Sequence, residues 1–404
     1  MKKINSIKIA VTAAAALLLC TDASAFTMKK KVGDVDTKIK FYGFSQLQAE
    51  GGDGTIKDGQ GADVKFSAQR IRWGLNYIAG PVRGKLFMDF NELNKPASNP
   101  TDRKDIKDDG VGMPSYIKDA FAAYKFNDEV QAKLGLIKMP HGMSFTIPGW
   151  NLDIVERSFD KKLAMERNTG LMISGRDIGF GNNAKVNGLE MGHERPMKGF
   201  GYDLQIANQA GRSAAVTAAK SGDANAYAAR LHFDWTEALH TELSYAVSES
   251  AGGYNADATL DTEDYKSLNF GIHSSFDKTD LKFEYYDSEN IKGVEGWDES
   301  TLAFTATHYL TDTFELAAKH VMASSEKAGV SADLTNTYIG FNLFLEAFDN
   351  KMTRNGKRKR NAHKIVANYV VTGGDDGTTG TWNTGAHLGG VLDDKWVIQY
   401  QYKY

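Results

Sequence analysis

Apolar and polar positions alternate along much of the chain, most clearly in its last ten residues, KWVIQYQYKY. Trp396, Ile398, Tyr400, Tyr402 and Tyr404 share one parity, and mostly polar side chains fill the other. Because successive side chains of a strand point to opposite faces, this pattern predicts a strand with one aromatic and one polar face. A chain end with such a stripe indicates an apolar environment beside it, since unanchored ends are usually disordered.

The same alternation recurs from end to end. In IRWGLNY the apolar parity is Ile71, Trp73, Leu75 and Tyr77, and charged or polar groups occupy the other parity. The pattern predicts sixteen strands near 37–49, 65–78, 82–90, 115–126, 129–138, 169–176, 199–208, 225–235, 239–248, 264–276, 280–287, 300–309, 313–323, 335–346, 362–372 and 395–404. Counts of fourteen or eighteen stay open, because the stretch 177–198 could hold an extra hairpin.

The connections between these strands alternate between tight turns and long polar segments. The long ones are 91–114, 139–168, 209–224, 249–263, 288–299, 324–334 and 373–394, and the connections at 177–198 and 347–361 break the rule. Transmembrane barrels have short periplasmic turns and longer outer loops. The sequence therefore predicts an all-β fold, a transmembrane antiparallel β-barrel of about 16 strands with both chain ends periplasmic. Charges in mid-strand fit a water-filled interior, where they are solvated.

The N-terminus has the pattern of a secretory signal peptide. A charged region with three lysines precedes the apolar run 9–19, and Ala23-Ser24-Ala25 forms a small-residue cleavage site. We expect domains 1–25, the signal peptide, and 26–404, the barrel. A lipoprotein signal at Cys20 is the less favoured alternative, because leucine precedes that cysteine.

Composition and the absence of known motifs exclude several classes of function. Cys20 is the only cysteine, so the expected mature chain has no disulfide and no thiol chemistry. Loss of three lysines and Asp22 with the leader takes the formal charge from −3 to −5, which excludes a globally basic nucleic-acid binder. No hydrolase, nucleotide-binding or metal-ligand motif is present, so we expect no enzyme activity, no cofactor and no metal. A membrane-embedded hydrolase built from residues such as His240 and Ser244 is a weaker alternative.

Two further segments, 355–361 and 51–63, have compositions that would suit ion binding, and each also has a simpler interpretation as a solvated connection. In the run NGKRKRN (355–361) all four residues from 357 to 360 are basic. This run could contact anionic groups, and a solvated turn is the simpler interpretation. The loop GGDGTIKDGQGAD (51–63) is rich in oxygen ligands but lacks the twelve-residue calcium-loop pattern.

The third long connection differs from the others. It leaves a strand at Pro140 and returns near Thr169, and DIVERSF predicts an ordered, partly helical segment. In barrels a long third outer loop commonly folds inward, so we expect this one in the lumen. Between 136 and 178 the six bases are Lys138, Arg157, Lys161, Lys162, Arg167 and Arg176, and the five acids are Asp153, Glu156, Asp160, Glu166 and Asp177. This balance favours at most a mild anion preference.

QRIRWGLNY, KDAFAAYKF, KLGLIKMPHG, ERSF and ERNTGLMISG follow one another between about residues 65 and 175. This ordered set resembles the phosphate-selective porin O and P family. The resemblance implies a trimeric sixteen-stranded porin of the Gram-negative outer membrane that carries small hydrophilic solutes or anions. Gln69 stands where the family has the first arginine of a pair.

The resemblance and strand parity together give candidate channel-lining residues. These are Arg70, Arg72, Arg83, Lys85, Lys138, Glu156, Arg157, Arg167 and Arg176. The alternative is that these charges pair with one another and hold the third loop to the wall. The terminal aromatic residue resembles the C-terminal signal that the barrel assembly machinery recognises, here Trp396, Ile398, Tyr400, Tyr402 and Tyr404. A barrel with a structural or adhesive role stays an alternative function.

Overall fold

The computed structural model describes most of the barrel wall and the segment 139–166, which connects two of its strands. The described residues are 26–52, 64–92, 116–127, 129–178, 199–208, 224–235, 239–249, 263–276, 278–327, 329–345, 363–375, 378–379, 382–383, 391 and 393–403. The expected signal peptide, the loop 53–63, the run 355–361 and Tyr404 lie outside them.

Sixteen strands form a closed antiparallel ring. The strand bounds are β1 Thr27–Val32, β2 Val35–Gly52, β3 Lys65–Ala79, β4 Val82–Asp89, β5 Ile117–Lys125, β6 Gln131–Lys138, β7 Arg167–Ile178, β8 Gly199–Asn208, β9 Asn225–Asp234, β10 Leu239–Ser248, β11 Tyr265–Phe276, β12 Thr279–Glu289, β13 Trp297–Tyr309, β14 Phe314–Lys327, β15 Val330–Phe344, β16 His363–Asp375, β17 Thr378–Thr379, β18 Trp382–Asn383 and β19 Lys395–Lys403. The ring consists of β2 to β16 and β19 of the nineteen strands in the described residues, whereas β1 pairs only with β2, and β17 and β18 form a separate two-stranded sheet. β2 to β16 pair in chain order, and β19 pairs with both β16 and β2. The predicted antiparallel barrel of about 16 strands is confirmed.

The wall has an apolar outer face and a polar inner face. On β10 the side chain of Leu243 is 46% exposed, whereas that of its neighbour Ser244 is 1% exposed. The alternation continues along the strand, with Tyr245 exposed and His240 and Glu242 buried. Exposed apolar and buried polar side chains reverse the arrangement of a water-soluble sandwich, and they are what a barrel in lipid requires.

The last strand completes the ring. Trp396 pairs with Gly51 of β2 and with Tyr369 of β16. Ile398 is 37% exposed on the outer face, whereas Gln401 is fully buried on the inner one. Trp396, Tyr400 and Tyr402 share the outer parity of Ile398. The aromatic stripe of the C-terminal segment therefore belongs to the outer surface of the wall.

The segment 139–166 leaves the wall and bonds to its inner face. It contains helix α1 (Met143–Thr146), a 3-10 turn at Gly149–Asn151 and helix α2 (Asp160–Leu163). The Gly142 N–H donates to Ser244 Oγ (3.0 Å), and the Val155 N–H donates to Asn368 Oδ1 (2.9 Å). No described helix is long and apolar enough to cross a membrane.

Two features of the wall differ from the sequence-based expectation. The expectation of a long loop at 324–334 is wrong, because β14 and β15 extend into this range until Lys327 pairs with Val330. Gly329, with φ of +77°, adopts the left-handed conformation that this tight turn needs. The sequence also missed β1, which pairs with the first part of β2 beside the ring. Its segment, TMKKKV, shows little alternation.

Candidate channel site

A polar cavity of about 140 Å³ lies between the segment 139–166 and the wall formed by β3 to β7. Its eight basic side chains are Arg70, Arg72, Lys85, Lys118, Lys138, Arg157, Lys161 and Arg167, and its three acidic ones are Asp89, Asp119 and Glu166. Six of the nine candidate residues from the sequence meet here. The excess of five basic groups over the acids makes the cavity electropositive.

Asp119 joins two strands of the cavity wall. Its Oδ2 lies 2.6 Å from Lys85 Nζ, and its Oδ1 lies 2.9 Å from Arg167 Nε. All three side chains are buried. Because both carboxylate oxygens are engaged, Asp119 compensates the bases that flank it and fixes their positions.

The two arginines of β3 have different partners. Arg72 Nε donates to Asp89 Oδ2 at 2.7 Å, and the Arg72 guanidinium lies 5.7 Å from the centre of the Phe44 ring. Arg70 Nη1 donates to Gln46 Oε1 at 2.5 Å. The inward parity expected for both arginines matches their buried or half-buried positions at the cavity.

Arg157 and Lys138 hold the carbonyl end of α1. Arg157 Nε donates to the Ser144 carbonyl at 2.8 Å, and its Nη2 donates to the carbonyl of Ile147. Lys138 Nζ donates to the Phe145 carbonyl. Burial lowers the pKa of Arg157 to about 10, so the side chain stays charged at neutral pH. Both residues thus fix the segment and add positive charge to the cavity lining.

Three candidates do not line this cavity. Glu156 lies 3.5 Å from Lys395 Nζ and accepts a hydrogen bond from Gln69. Arg83 donates to the carbonyls of Gly80 and Val82, so it caps the β3–β4 turn.

Arg176 belongs to a separate buried network. It makes a bidentate contact with Asp203 at 2.9 and 3.0 Å, and Arg230 lies 2.6 Å from the same carboxylate.

Sequence reasoning missed several members of the site. Lys118 and Asp119 both line the cavity, although they are consecutive on β5 and a regular strand would place them on opposite faces. Phe87 and Trp150 also line it, and their rings lie 6.3 Å apart. The fragment KDAFAAYKF gave a strand but no sign of which charges face inward.

His240 and Ser244, the residues considered for a hydrolase site, contact other groups and not each other. His240 Nδ1 lies 3.1 Å from Asp234 and its Nε2 lies 3.2 Å from Glu242, while Ser244 Oγ accepts from the Gly142 N–H. His240 and Ser244 therefore do not form a nucleophile–base pair. Within the described ranges, no cluster of three or more histidine or acidic side chains could hold a metal ion.

Neither a protein-family model nor a curated protein matches this sequence. Solved structures do match the fold. The outer membrane channel DcaP of Acinetobacter baumannii has a TM-score of 0.57 at 12% identity, covering 93% of this chain and 99% of that one. An anion-selective porin from Comamonas acidovorans has a TM-score of 0.54 at 12% identity, covering 91% and 100%. The fold is that of the outer-membrane porins. A trimer form of the outer membrane protein OmpT from Vibrio cholerae gives a TM-score of 0.55 at 12% identity, covering 91% and 99%.

Proposed function

We propose that this protein is an outer-membrane porin, a water-filled channel through which small hydrophilic solutes diffuse passively, with a preference for anions such as phosphate. The porin fold and the apolar outer wall support the membrane assignment. The resemblance to the phosphate-selective porins O and P supports the choice of solute.

The charge of the cavity carries the anion preference. Residues 136–178 carry six bases and five acids, whereas the cavity lining, which also draws on β3, β4 and β5, has eight bases and three acids around one space. A lining in which one sign of charge predominates, between low-dielectric walls, focuses the potential and raises the local concentration of the opposite ion. Guanidinium groups also donate paired hydrogen bonds to oxyanions.

The proposed porin function also implies a route of export, a route of membrane insertion and an oligomeric state. A cleaved leader, residues 1–25, would export the chain, and the barrel assembly machinery would insert it through the C-terminal strand. A homotrimer is proposed by analogy with the trimer form of the Vibrio cholerae protein. The chain would act without cofactor, metal or nucleic acid, and would catalyse no reaction.

The test is the reversal potential of the purified protein in a planar bilayer across a salt gradient. Replacing Arg70, Arg72 and Arg157 by glutamine should shift an anion-preferring channel toward cations. Arg72→Gln alone is compared with Arg83→Gln, a control that also loses one charge, because Arg83 caps a turn away from the cavity. A wild-type channel that prefers cations would refute the anion preference and leave the porin assignment intact.

One observation favours a second candidate, a barrel whose interior is filled and whose role is structural or adhesive. The inward side chains of β14 are all buried: Glu315, Ala317, Lys319, Val321, Ala323, Ser325 and Lys327. A wide barrel with an open lumen leaves many such groups exposed to water. Absence of any ion conductance in the bilayer would select this candidate over the porin.

A further inference from the structure

Two buried glutamines connect the wall to the segment 139–166. Gln46 on β2 and Gln401 on β19 are direct cross-strand partners, with 1% and 0% of their surface exposed. Gln46 Nε2 donates to Gln401 Oε1 at 2.7 Å and to the Gly149 carbonyl at 3.0 Å. Gln401 Nε2 donates to the Trp150 carbonyl at 3.0 Å. The two amides therefore hold the 3-10 turn of the segment against β2 and β19.

Arg70 determines the orientation of both amides. Arg70 Nη1 donates to Gln46 Oε1 at 2.5 Å. Because a guanidinium group has only donors, Gln46 must turn its oxygen toward Arg70 and its nitrogen toward Gln401. Gln401 must then accept through its oxygen and donate through its nitrogen to the Trp150 carbonyl. Each bond of this chain, from Arg70 through the two glutamines to the segment, has one direction only.

The segment also packs directly on Arg70. A Cβ atom added to Gly149 would lie 3.2 Å from Arg70 Nε and 3.3 Å from Arg70 Cδ, so only a glycine leaves the side chain its present space. Arg70, Gly149 and Trp150 all line the cavity, whereas the two glutamines do not. The hydrogen-bond chain thus fixes one basic group of the cavity and one edge of the segment relative to each other.

We propose that Gln46 and Gln401 are positioning residues of the channel, which keep the Arg70 guanidinium group and the 3-10 turn of the segment in one fixed arrangement. This role rests on the proposed porin function. The carboxylate of Glu156, which does not line the cavity, attracts Arg70 electrostatically. Without the bond to Gln46, Arg70 is free to turn toward Glu156, and its charge is then lost from the lining.

The first experiment measures amide hydrogen exchange of the segment in detergent, where no conduction is needed. Methionine has about the length of glutamine but lacks the amide groups, so Gln46→Met removes the chain at its centre. Gln131→Met is the matched control, because Gln131 is fully buried and neither of its amide atoms has a hydrogen-bond partner among the described residues. Peptides covering residues 147–157 should exchange about tenfold faster in Gln46→Met and at the wild-type rate in Gln131→Met. Equal rates in the two variants would overturn the proposal.

The second experiment measures the reversal potential in a planar bilayer across a potassium chloride gradient. Gln46→Met exchanges one uncharged side chain for another, so a shift reports a moved Arg70 and not a lost charge. The reversal potential should move toward the cation-selective value in Gln46→Met and stay unchanged in Gln131→Met. In an Arg70→Gln background, Gln46→Met should add no further shift. Faster exchange with an unchanged reversal potential would contradict the positioning of Arg70 and leave the glutamines a structural role only.

A double variant tests whether the two glutamines act as one unit. Gln46→Met and Gln401→Met together should raise the exchange rate no more than the stronger single change does, and multiplied effects would contradict the chain. Failure of the two proposals is distinguishable. A wild-type protein that conducts no ions contradicts the porin function, whereas a conducting channel whose selectivity survives Gln46→Met contradicts only the positioning role.

Discussion

The ammonium group of Lys319 lies 3.0 Å from a carboxylate oxygen of Asp160, joining β14 to helix α2 across the barrel interior. Lys319 is 6% exposed and Asp160 is fully buried. The other oxygen of Asp160 accepts a hydrogen bond from Ser144 Oγ at 2.5 Å. Burial by itself would raise the pKa of Asp160, but the Lys319 ammonium holds that pKa below its ordinary value. One carboxylate thus ties both helices of the segment to the wall.

Breaking this pair should loosen the segment. Lys319→Met leaves the Asp160 charge buried without its partner, a change that typically costs about 3–5 kcal/mol. Denaturant unfolding in detergent measures the loss. Adding Asp160→Asn should return part of the stability, since the double variant has no isolated charge. Additive losses in the double-mutant cycle would show that the pair is not coupled.

Acid should weaken the packing of the same segment through His141. The ring is fully buried and lies 5.6 Å from the Tyr286 ring, and burial lowers the pKa of His141 to about 4. An unfolded histidine titrates near pH 6.5, so between pH 6.5 and 4 the unfolded state binds a proton that the folded state does not. Stability is therefore complete above about pH 6.5 and falls with pH until about pH 4, by roughly 3 kcal/mol in total.

His141→Gln provides the comparison, because glutamine does not titrate. The unfolding free energies of wild type and variant, measured at pH 7 and pH 4.5, should differ by an amount that changes between the two pH values. A constant difference would rule out His141 as the source of acid sensitivity.

The orientation of the barrel can be tested at its two rims. Glu295 lies in the connection between β12 and β13, and Lys278 lies in the turn between β11 and β12, so they mark opposite ends. Both are exposed. With both chain termini periplasmic, a membrane-impermeant thiol reagent added to intact cells should label Glu295→Cys and not Lys278→Cys. The reverse pattern would invert the barrel.

The terminal tyrosine should matter for insertion. Deletion of Tyr404, or its replacement by aspartate, removes the final aromatic group of the expected assembly signal, and we expect less folded barrel in the outer membrane. Tyr404→Phe keeps the aromatic ring and should insert normally. Heat-modifiable migration of the membrane fraction on gels gives the yield, and an unchanged yield in the deletion would assign the signal elsewhere.

Alternation carried most of the fold prediction. The parity of Ile71, Trp73 and Leu75 established which face of β3 meets lipid, and the inward position of Arg72 followed from it. Parity fails where a strand gains a residue, because a bulge reverses the phase of the alternation within the strand. Lys118 is the example, since it shares the outer parity of Ala122 and nevertheless lines the cavity.

The ion pairs of the site could not be predicted from the sequence, because they depend on the register between neighbouring strands. Asp119 contacts Lys85 and Arg167 from two other strands, and nothing in the linear sequence relates these three charges. Arg83 shows the opposite case. Its parity suited the lumen, but its place beside the β3–β4 turn gives it carbonyl partners there.

The pairing of β19 with β2 makes closure of the barrel depend on two segments far apart in the sequence. Gln46 Nε2 donates to Gln401 Oε1 at 2.7 Å across a separation of 355 positions. Until the final strand is made, β2 and β16 each keep an edge of unpaired backbone groups, which lipid cannot satisfy and other chains can bind. Such distant contacts also form slowly. A chain shortened by this strand would keep an open seam between β16 and β2.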